Sequence, residues 1–304
     1  MKCIDVWQPV GKSIATIDIN VSNDYLYVID NYLSDSLMTT IPQIMAPADM
    51  PLLNRDYVTP KIRPVKALRH FRNLIADKED TAEVFYIIEA LSGKAFIRNA
   101  KQFLKSPHAK ELMERNIDLP TMLDDHDKLR ELPVDSVGRA YVRFMEREGL
   151  TAAGLVAESE RFESDNKNRN DITEWFGNRM RDTHDLLHVL TGYGRDALGE
   201  QCVLGFTYSQ NPNLGILFIA YAGALELRKQ SPSDAPVLRA VREGQRVGKA
   251  AKRLAYYDIE KILAMPINEA RAFLNIGEPV YYHQAHQAYE AQGIDPYNLL
   301  GQPV

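Results

Sequence analysis

Residues 171–200, DITEWFGNRMRDTHDLLHVLTGYGRDALGE, carry the strongest structural signal in this chain. Asp171 with Glu174 three residues later is typical of the start of a helix. Apolar side chains and then histidines recur every four residues, at positions 172, 176, 180, 184 and 188. This spacing predicts one helix that runs to about Leu190 and keeps these side chains on one face. Two glycines then interrupt the pattern, and a second helix is predicted from about Arg195 to Tyr208.

Helical periodicity also dominates on both sides of this stretch. A cap near Ser136 predicts a helix that ends at Gly149. The apolar segment Leu214–Leu227 is expected to form another helix. A longer helix is predicted from about residue 233, and a last one near 267–274 precedes a tail that contains Gly and Pro. The predicted fold class is therefore mainly α.

The first 64 residues differ from the rest of the chain. Apolar residues alternate with polar ones between Ile17 and Val28, which predicts a short N-terminal β-hairpin. Five prolines lie between Ile41 and Pro64, a pattern typical of a linker or a wrapping segment. We therefore divide the chain into an N-terminal extension with a Pro-rich linker, residues 1–64, and an all-helical domain, residues 65–304.

Composition excludes several classes of protein. With 45% hydrophobic and 25% charged residues among 304, the chain is that of a globular protein. A net charge of −5 argues against generic nucleic-acid binding, and two cysteines argue against a disulfide framework. The longest apolar stretch, about 12 residues at 214–225, falls short of the roughly 18 that a membrane-spanning helix needs. Any membrane contact is therefore expected to be peripheral.

The histidines of the central stretch are candidates for metal ligands. Positions i and i+4 share one face of a helix, so His184 and His188 can present their imidazoles to one ion. Glu200, on the next helix, can fold back and close the site. Asp185 is turned by about 100° around the helix axis and can act as a third ligand or orient one. The alternative is a pair of hydrogen-bonded core histidines.

Several motifs resemble those of the coenzyme Q biosynthesis protein 4 family. Residues 181–193, RDTHDLLHVLTGY, with Leu198–Glu200 resemble its signature, HDxxH followed by eleven residues and Glu. Residues 138–144, GRAYVRF, resemble its GRxYxRF segment, and residues 256–260 and 270–276 resemble its C-terminal YYDWE and LGI-like region. Ile259 stands where the family usually has Trp. The resemblance covers about residues 65–276 and leaves the N-terminal extension without a counterpart.

The resemblance implies an all-helical fold and a role in ubiquinone biosynthesis. It implies a divalent metal held by His184, Asp185, His188 and Glu200; Zn is the favoured ion, with Fe, Mn, Co or Mg as alternatives, because these ligand types do not fix the ion. It further implies (oxidative) decarboxylation at C1 of a polyprenylated hydroxybenzoate by a lyase or oxidoreductase. The predicted catalytic groups are Asp185 and His184.

The helix predicted from residue 233 carries three candidates for substrate binding. Gly244 and Gly248 are four residues apart, which lets a ligand or another backbone approach closely. Arg246 belongs to a basic face that can attract a substrate carboxylate, anionic lipids or an acidic partner. That face comprises Arg239, Arg242, Arg246, Lys249 and Arg253. The segments Val203–Phe206 and Leu214–Ala224 can hold an isoprenoid tail or belong to the core.

The expected partners are a polyprenylated benzoate or quinone intermediate, other ubiquinone-biosynthesis proteins and a membrane surface. We expect a homo-oligomer that binds no nucleic acid. No mitochondrial presequence is visible, which predicts a bacterial member, cytoplasmic and peripherally associated with the inner face of the cell membrane. Two alternatives stay open. One is a non-catalytic lipid-binding scaffold that organises the biosynthetic enzymes, and the other is an HD-type metal phosphohydrolase.

Overall fold

The structure, a computed structural model, describes residues 49–77, 80–164 and 168–299. Across these ranges the chain forms sixteen α-helices and no β-strand, so the predicted mainly α fold is confirmed. The hairpin predicted between Ile17 and Val28 lies outside the described residues. The chain divides into two units, residues 1–44 and 45–304, and every described residue belongs to the second.

The helices are short and follow one another closely along the chain. They are α1 (Pro64–Ala76), α2 (Ala82–Ser92), α3 (Ala95–Phe103), α4 (Ala109–Arg115), α5 (Leu119–Asp124), α6 (His126–Arg130), α7 (Val137–Glu148), α8 (Ala152–Arg161), α9 (Ile172–Asp182), α10 (His184–Thr191), α11 (Ala197–Gln210), α12 (Leu214–Gln230), α13 (Val237–Ala250), α14 (Ile259–Ala264), α15 (Ile267–Leu274) and α16 (Val280–Ala291). Two 3₁₀ turns, Leu254–Tyr256 and Pro296–Asn298, complete the described part.

Side-chain caps determine where the central helices begin. Ser136 and Asp171 each accept a hydrogen bond from the amide three residues later, at 3.2 and 2.8 Å, as the sequence predicted. Asp196 accepts from the amides of residues 198 and 199, both at 3.1 Å, and so starts α11. Each such cap is worth about 1 kcal/mol. Gly149 and Gly192 end α7 and α10 with positive φ angles of 67° and 78°, which glycine adopts without strain.

The centre of the domain is formed by α11, α12 and α13. A Cβ atom at Gly244 would lie 2.5 Å from the carbonyl oxygen of Cys202, and one at Gly248 would lie 2.4 Å from that of Phe206. These two glycines therefore allow α13 to lie directly against the backbone of α11. The same core extends into α7 and α10 through buried side chains such as Tyr141, Met145, Leu186 and Leu190.

The predicted helix at 214–227 is confirmed as α12. One face is buried, at Ile219, Ala220, Gly223, Ala224 and Leu227. Its opposite face exposes Leu214 and Leu225. Over the described ranges, no helix combines the length and the hydropathy needed to cross a bilayer.

The helix predicted to run from residue 171 to about Leu190 is wrong in one respect, because it breaks at Thr183. The hydroxyl of Thr183 donates to the carbonyl oxygen of Arg179 at 2.9 Å, and its ψ angle of 5° departs from the helical value. A hydroxyl that bonds back to the preceding turn competes with the helical pattern and bends the chain. His184 and His188 consequently lie on a short helix of their own, α10.

Two other predictions about helices are also corrected. α13 begins at Val237 and not near residue 233, because the residue before a proline is disfavoured in helical geometry and Pro236 therefore delays the start. The tail after Leu274 contains α16, which the sequence analysis did not predict. This helix buries Tyr282 and Tyr289, which lie two turns apart on one face.

Residues 49–63, in the predicted linker, pack along the N-terminus of α9. The amide of Asn54 donates to the carboxylate of Asp171 at 3.1 Å, and the hydroxyl of Thr173 donates to the carbonyl oxygen of Leu52 at 2.9 Å. The amide of Ile172 donates to the carbonyl oxygen of Pro51 at 3.0 Å. This part of the segment therefore wraps the helical domain and supplies partners for polar groups at a helix end.

Candidate metal centre

Two neighbouring helices bring His184, His188 and Glu200 together. The histidines lie one turn apart on α10, and Glu200 lies in the first turn of α11. Their ligand atoms all lie within 4.8 Å of one another. No other group of three His, Cys, Asp or Glu side chains is arranged in this way in the described part of the chain. The predicted folding back of Glu200 onto the histidine pair is therefore present in the structure.

The separations between the ligand atoms fit a metal ion. The Nε2 atoms of the two histidines are 3.4 Å apart, and Glu200 carboxylate oxygens lie 3.7 Å from Nε2 of His184 and 3.6 Å from Nε2 of His188. Ligand atoms that are each about 2.0–2.1 Å from a tetrahedral zinc ion lie about 3.3–3.4 Å apart. Two imidazoles and a carboxylate are also a donor set that zinc and other divalent ions accept. The three side chains therefore suit one divalent ion with only small movements.

The protonation of the His188 ring follows from its neighbours. Its Nδ1 atom lies 3.2 Å from the carbonyl oxygen of Tyr193 and 3.1 Å from that of Gly194. Carbonyl oxygens only accept hydrogen bonds, so Nδ1 carries a proton, and in a neutral ring the lone pair is on Nε2, which faces His184 and Glu200. Phe144 of α7 stacks on the ring at 5.4 Å between centroids and holds it from one side. The ring is therefore oriented and in the tautomer that a metal ligand requires.

The charges of the cluster favour a cation between the side chains. Burial alone would raise the pKa of the Glu200 carboxyl, but the two adjacent imidazoles outweigh it and hold that pKa well below its ordinary value. Burial would lower the pKa of His188, but the Glu200 carboxylate outweighs this effect and raises it. A metal ion and a proton therefore compete for the same position.

Asp185 lies outside the group of three. It is half-buried in the first turn of α10, and its ligand atoms do not join the cluster of His184, His188 and Glu200. The nearby hydroxyl of Tyr141 is buried and has no hydrogen-bond partner among the described residues. Burial, and secondarily the charge of Asp185, raise the pKa of that hydroxyl. The roles predicted for Asp185, as a ligand and as a catalytic group, stay predictions.

The three residues predicted to bind substrate lie on α13. Gly244 and Gly248 face the backbone of α11, so helix packing alone accounts for both glycines. The side chain of Arg246 is 72% exposed and reaches Glu243 at 3.4 Å. Substrate binding by these three residues stays a prediction.

An open apolar groove lies beside the basic face of α13. It has a volume of about 590 Å³ and is lined by Leu214, Leu217, Phe218, Tyr221, Ala222, Leu225 and Gln245. The hydroxyl of Tyr221 donates to Oε1 of Gln245 at 2.7 Å and joins the two helices. Arg239, Arg242, Arg246 and Lys249 are exposed on α13, whereas Arg253 lies beyond its end and donates to the hydroxyl of Tyr256. Val203 and Phe206 belong to the core instead.

The sequence analysis missed the residues that hold the loop between the two helices of the cluster. Gly194 and Asp196 lie in the loop between α10 and α11, and Tyr282 reaches this loop from α16. Asp196 itself was a usable signal that the helix begins at Ala197 and not near Arg195, since Asp is a favoured N-cap. Tyr282 lies 86 residues from Asp196, and no local pattern in the sequence indicates this contact.

The fold and the cluster define a class of protein. It is an all-helical protein in which an HDxxH helix and a glutamate of the next helix form a candidate divalent-metal site. A sequence profile described as coenzyme Q (ubiquinone) biosynthesis protein Coq4 matches residues 70–280, and the chain belongs to this family. The family is one of ubiquinone biosynthesis, as the motifs in the sequence predicted.

The relatives of this chain include mitochondrial proteins of fungi and vertebrates. It is 26% identical over 217 residues to ubiquinone biosynthesis protein COQ4 of Clavispora lusitaniae, covering 70% of this chain and 65% of that protein. It is 33% identical over 172 residues to the COQ4 homologue of Danio rerio, covering 55% of this chain and 59% of that protein. The chain therefore spans less than two thirds of the length of either relative.

A solved structure shares the fold. The crystal structure of a protein from Nostoc punctiforme that carries a provisional ubiquinone-biosynthesis name matches with a TM-score of 0.51 and 19% identity. The match covers 70% of this chain and 98% of that one. At this identity the likeness concerns the helical architecture alone.

Proposed function

We propose that this protein is a metal-dependent enzyme of ubiquinone biosynthesis that removes the C1 carboxyl group of a polyprenylated hydroxybenzoate, with or without its oxidative replacement by oxygen. The observation that carries the proposal is the cluster of His184, His188 and Glu200, whose ligand atoms have the separations that a single divalent ion requires. Membership of a ubiquinone-biosynthesis family supports the pathway. The reaction and the substrate are what the resemblance to this family implies, and the site is compatible with them.

In this proposal His184, His188 and Glu200 hold the ion, and Asp185 either binds it as a further ligand or stays free to handle a proton. Zn is the favoured ion, and Fe, Mn, Co or Mg are alternatives. A divalent ion bound there supplies Lewis-acid stabilisation of a substrate carboxylate or phenolate oxygen. The side chains of His184 and Glu200 are 25% and 32% exposed, whereas that of His188 is 1% exposed. A substrate would therefore approach from the side of His184 and Glu200.

The proposed reaction also needs a group that handles a proton. When the bond between C1 and the carboxylate breaks, carbon dioxide leaves and the electron pair stays on the ring carbon. In the non-oxidative form that carbon must then take up a proton. In the oxidative form dioxygen is the oxidant and the source of the oxygen that replaces the carboxyl group. If Asp185, next to His184 on the first turn of α10, does not bind the ion, it is the proposed proton-handling group.

The groove and the basic face suggest where the rest of the substrate lies. The apolar groove along Leu214, Phe218 and Leu225 is the proposed site of the prenyl tail, because such a tail needs a continuous apolar surface. Arg246 is proposed to attract the carboxylate of the head group. The exposed cations of α13 favour contact with an anionic membrane surface, in keeping with a peripheral location.

The experiment that tests the proposal compares Glu200→Gln with Glu226→Gln. Glu226 forms an exposed ion pair with Lys229 at 2.5 Å on α12, a contact worth little stability, so its replacement is a matched control. Each variant replaces the natural protein in the producing cell, and lipid extracts are analysed by mass spectrometry with protein abundance checked. Glu200→Gln should accumulate a C1-carboxylated prenyl intermediate at normal abundance, and the control should not. Unchanged ubiquinone in Glu200→Gln cells would contradict the proposal.

A second candidate function is a non-catalytic scaffold that binds lipid and organises the other biosynthetic enzymes. The observation in its favour is the row of exposed cations beside an apolar groove, which suits a surface that binds lipids and proteins. If this function is right, replacing Arg242 and Lys249 by Gln should deplete all late intermediates and leave metal content unchanged. If the protein is instead an enzyme, Glu200→Gln should block a single step, so that only the intermediate before that step accumulates.

A further inference from the structure

A chain of hydrogen bonds leads from the back of His188 to a buried carboxylate. The Nδ1–H group of His188 points at the carbonyl oxygen of Gly194, 3.1 Å away. The amide of the same residue, Gly194, donates to the hydroxyl oxygen of Tyr282 at 2.9 Å. The Tyr282 hydroxyl in turn donates to a carboxylate oxygen of Asp196. His188, Gly194 and Tyr282 therefore each donate one hydrogen bond to the next residue of this series, which ends at the carboxylate of Asp196.

The other end of the chain reaches the helix that carries Glu200. The second carboxylate oxygen of Asp196 accepts from the amides of Leu198 and Gly199, and Nε2 of His286 lies 3.3 Å from it. Asp196 thereby orients the first turn of α11, and Glu200 is the next residue after Gly199. One connected set of contacts thus touches both His188 and Glu200 without taking part in the cluster itself.

Two glycines make this connection short. A Cβ atom at Gly199 would lie 2.0 Å from the carbonyl oxygen of Gly194, and one at Gly194 would lie 2.8 Å from the hydroxyl of Tyr282. The first turn of α11 therefore lies directly against the carbonyl group of Gly194, the same group that accepts the hydrogen bond from Nδ1–H of His188. Any shift of this loop moves the imidazole and the carboxylate relative to each other.

We propose that Tyr282 and Asp196 are positioning residues of the metal centre: they hold the loop 193–196 so that His188 keeps its proton on Nδ1 and Glu200 stays within reach of the same ion. The inference rests on the proposed metal site. Outer partners of this kind fix the tautomer and orientation of a ligating histidine, and their loss typically weakens metal binding by about 10–100-fold. Both residues are almost fully buried, so no water replaces the lost partner at once.

The test compares Tyr282→Phe with Tyr289→Phe. Tyr289 lies on the same helix and is buried, and its hydroxyl pairs with Ser231 Oγ at 3.0 Å instead of with the loop, so the control removes the same chemical group. Zinc affinity is measured by competition with a chromophoric chelator, and the tautomer of His188 is read by ¹⁵N NMR in the metal-free protein. We expect Tyr282→Phe to bind zinc at least about 10-fold more weakly than the natural protein, with a mixed His188 tautomer. Tyr289→Phe should match the natural protein in both measurements.

A second variant, Asp196→Asn, distinguishes an effect on positioning from a loss of folding. It keeps a side chain that caps helices well but removes the charge. If thermal unfolding of the metal-free Asn variant matches that of Tyr289→Phe while its zinc affinity falls, positioning is supported. Equal zinc affinities and a single Nδ1–H tautomer in all variants would overturn this inference and leave the metal site standing. If the natural protein binds neither zinc nor Fe, Mn, Co or Mg, both the positioning inference and the proposed metal site would be overturned.

Discussion

Replacing Gly248 by Ala should destabilise the protein, because the new methyl group would meet the backbone of α11. Its Cβ would lie 2.4 Å from the carbonyl oxygen and 2.8 Å from the Cα of Phe206, whereas ordinary contact begins at 3.4 Å. The two helices must therefore separate by about 1 Å at this point. Forcing extra volume into a packed interface costs about 1–3 kcal/mol. The helix preference of Ala over Gly returns at most about 1 kcal/mol.

Because the clash is with backbone atoms, which cannot turn aside as a flexible side chain can, we expect a cost in the upper half of that range, about 2–3 kcal/mol. The net loss is then about 1–2 kcal/mol, which should be visible in thermal unfolding. For a domain of this size, each kcal/mol changes Tm by about 2–4 °C, so Gly248→Ala should melt about 2–8 °C lower. Differential scanning calorimetry of the metal-free protein is a suitable assay, because it separates packing from metal binding.

Gly177→Ala is the matched control for Gly248→Ala. Gly177 lies inside α9, and a Cβ atom there would meet nothing within 4 Å. This variant should gain about 0.5–1 kcal/mol from helix preference alone. If Gly248→Ala melts at or above the natural protein, the packing argument is refuted, and the space at Gly248 would be available to a ligand, as the substrate-binding prediction requires.

Three further predictions concern other parts of the structure. Asp171→Ala should lower the free energy of unfolding in urea by about 3–5 kcal/mol, because the buried guanidinium of Arg169, 2.9 Å away, loses its counter-charge; Asp171→Asn, which keeps the cap, should lose less. Zinc at 100 times its Kd should stabilise the natural protein by about 2.7 kcal/mol, and an equal shift in His188→Ala would argue against the centre. Burial acts to raise the pKa of Asp258, but a hydrogen bond from Arg115 and the charges of Arg115 and Lys261 outweigh it and hold the pKa below its ordinary value. This stabilisation is present above the unfolded-state pKa, about 3.9, and disappears as pH falls through the lower folded-state pKa, so the stability lost in Arg115→Gln, measured by urea unfolding, should be largest at pH 7 and shrink as pH falls below about 3.9.

The helical fold could be predicted because the relevant signals are local. Ser136 and Asp171 cap the amides three residues ahead of them, and Gly149 and Gly192 end helices through their own backbone angles. The break at Thr183 escaped prediction because it depends on the hydroxyl of Thr183, which donates to the carbonyl oxygen of Arg179 alongside the amide of the same residue. The four-residue repeat continues across this break and conceals it.

The candidate site was only partly predictable for a related reason. His184, His188 and Glu200 lie within seventeen residues of sequence, and helix geometry brings the first two together. Tyr282 comes from α16, where histidines and glutamines between the buried tyrosines obscure the apolar repeat. Its contact with the loop at Gly194 depends on the packing of distant helices, which no short pattern encodes.

The contacts of residues 49–63 bear on where the stable unit of this family member begins. Sequence similarity to the family starts at His70, yet Pro51, Leu52 and Asn54 already supply hydrogen-bond partners to the first turn of α9. A fragment cut at the boundary of similarity would leave those polar groups of α9 without their partners, in the helix that directly precedes the one that holds the histidines. The stretch that matches the family profile is thus shorter than the stretch that packs together in this structure, and expression boundaries should follow the second.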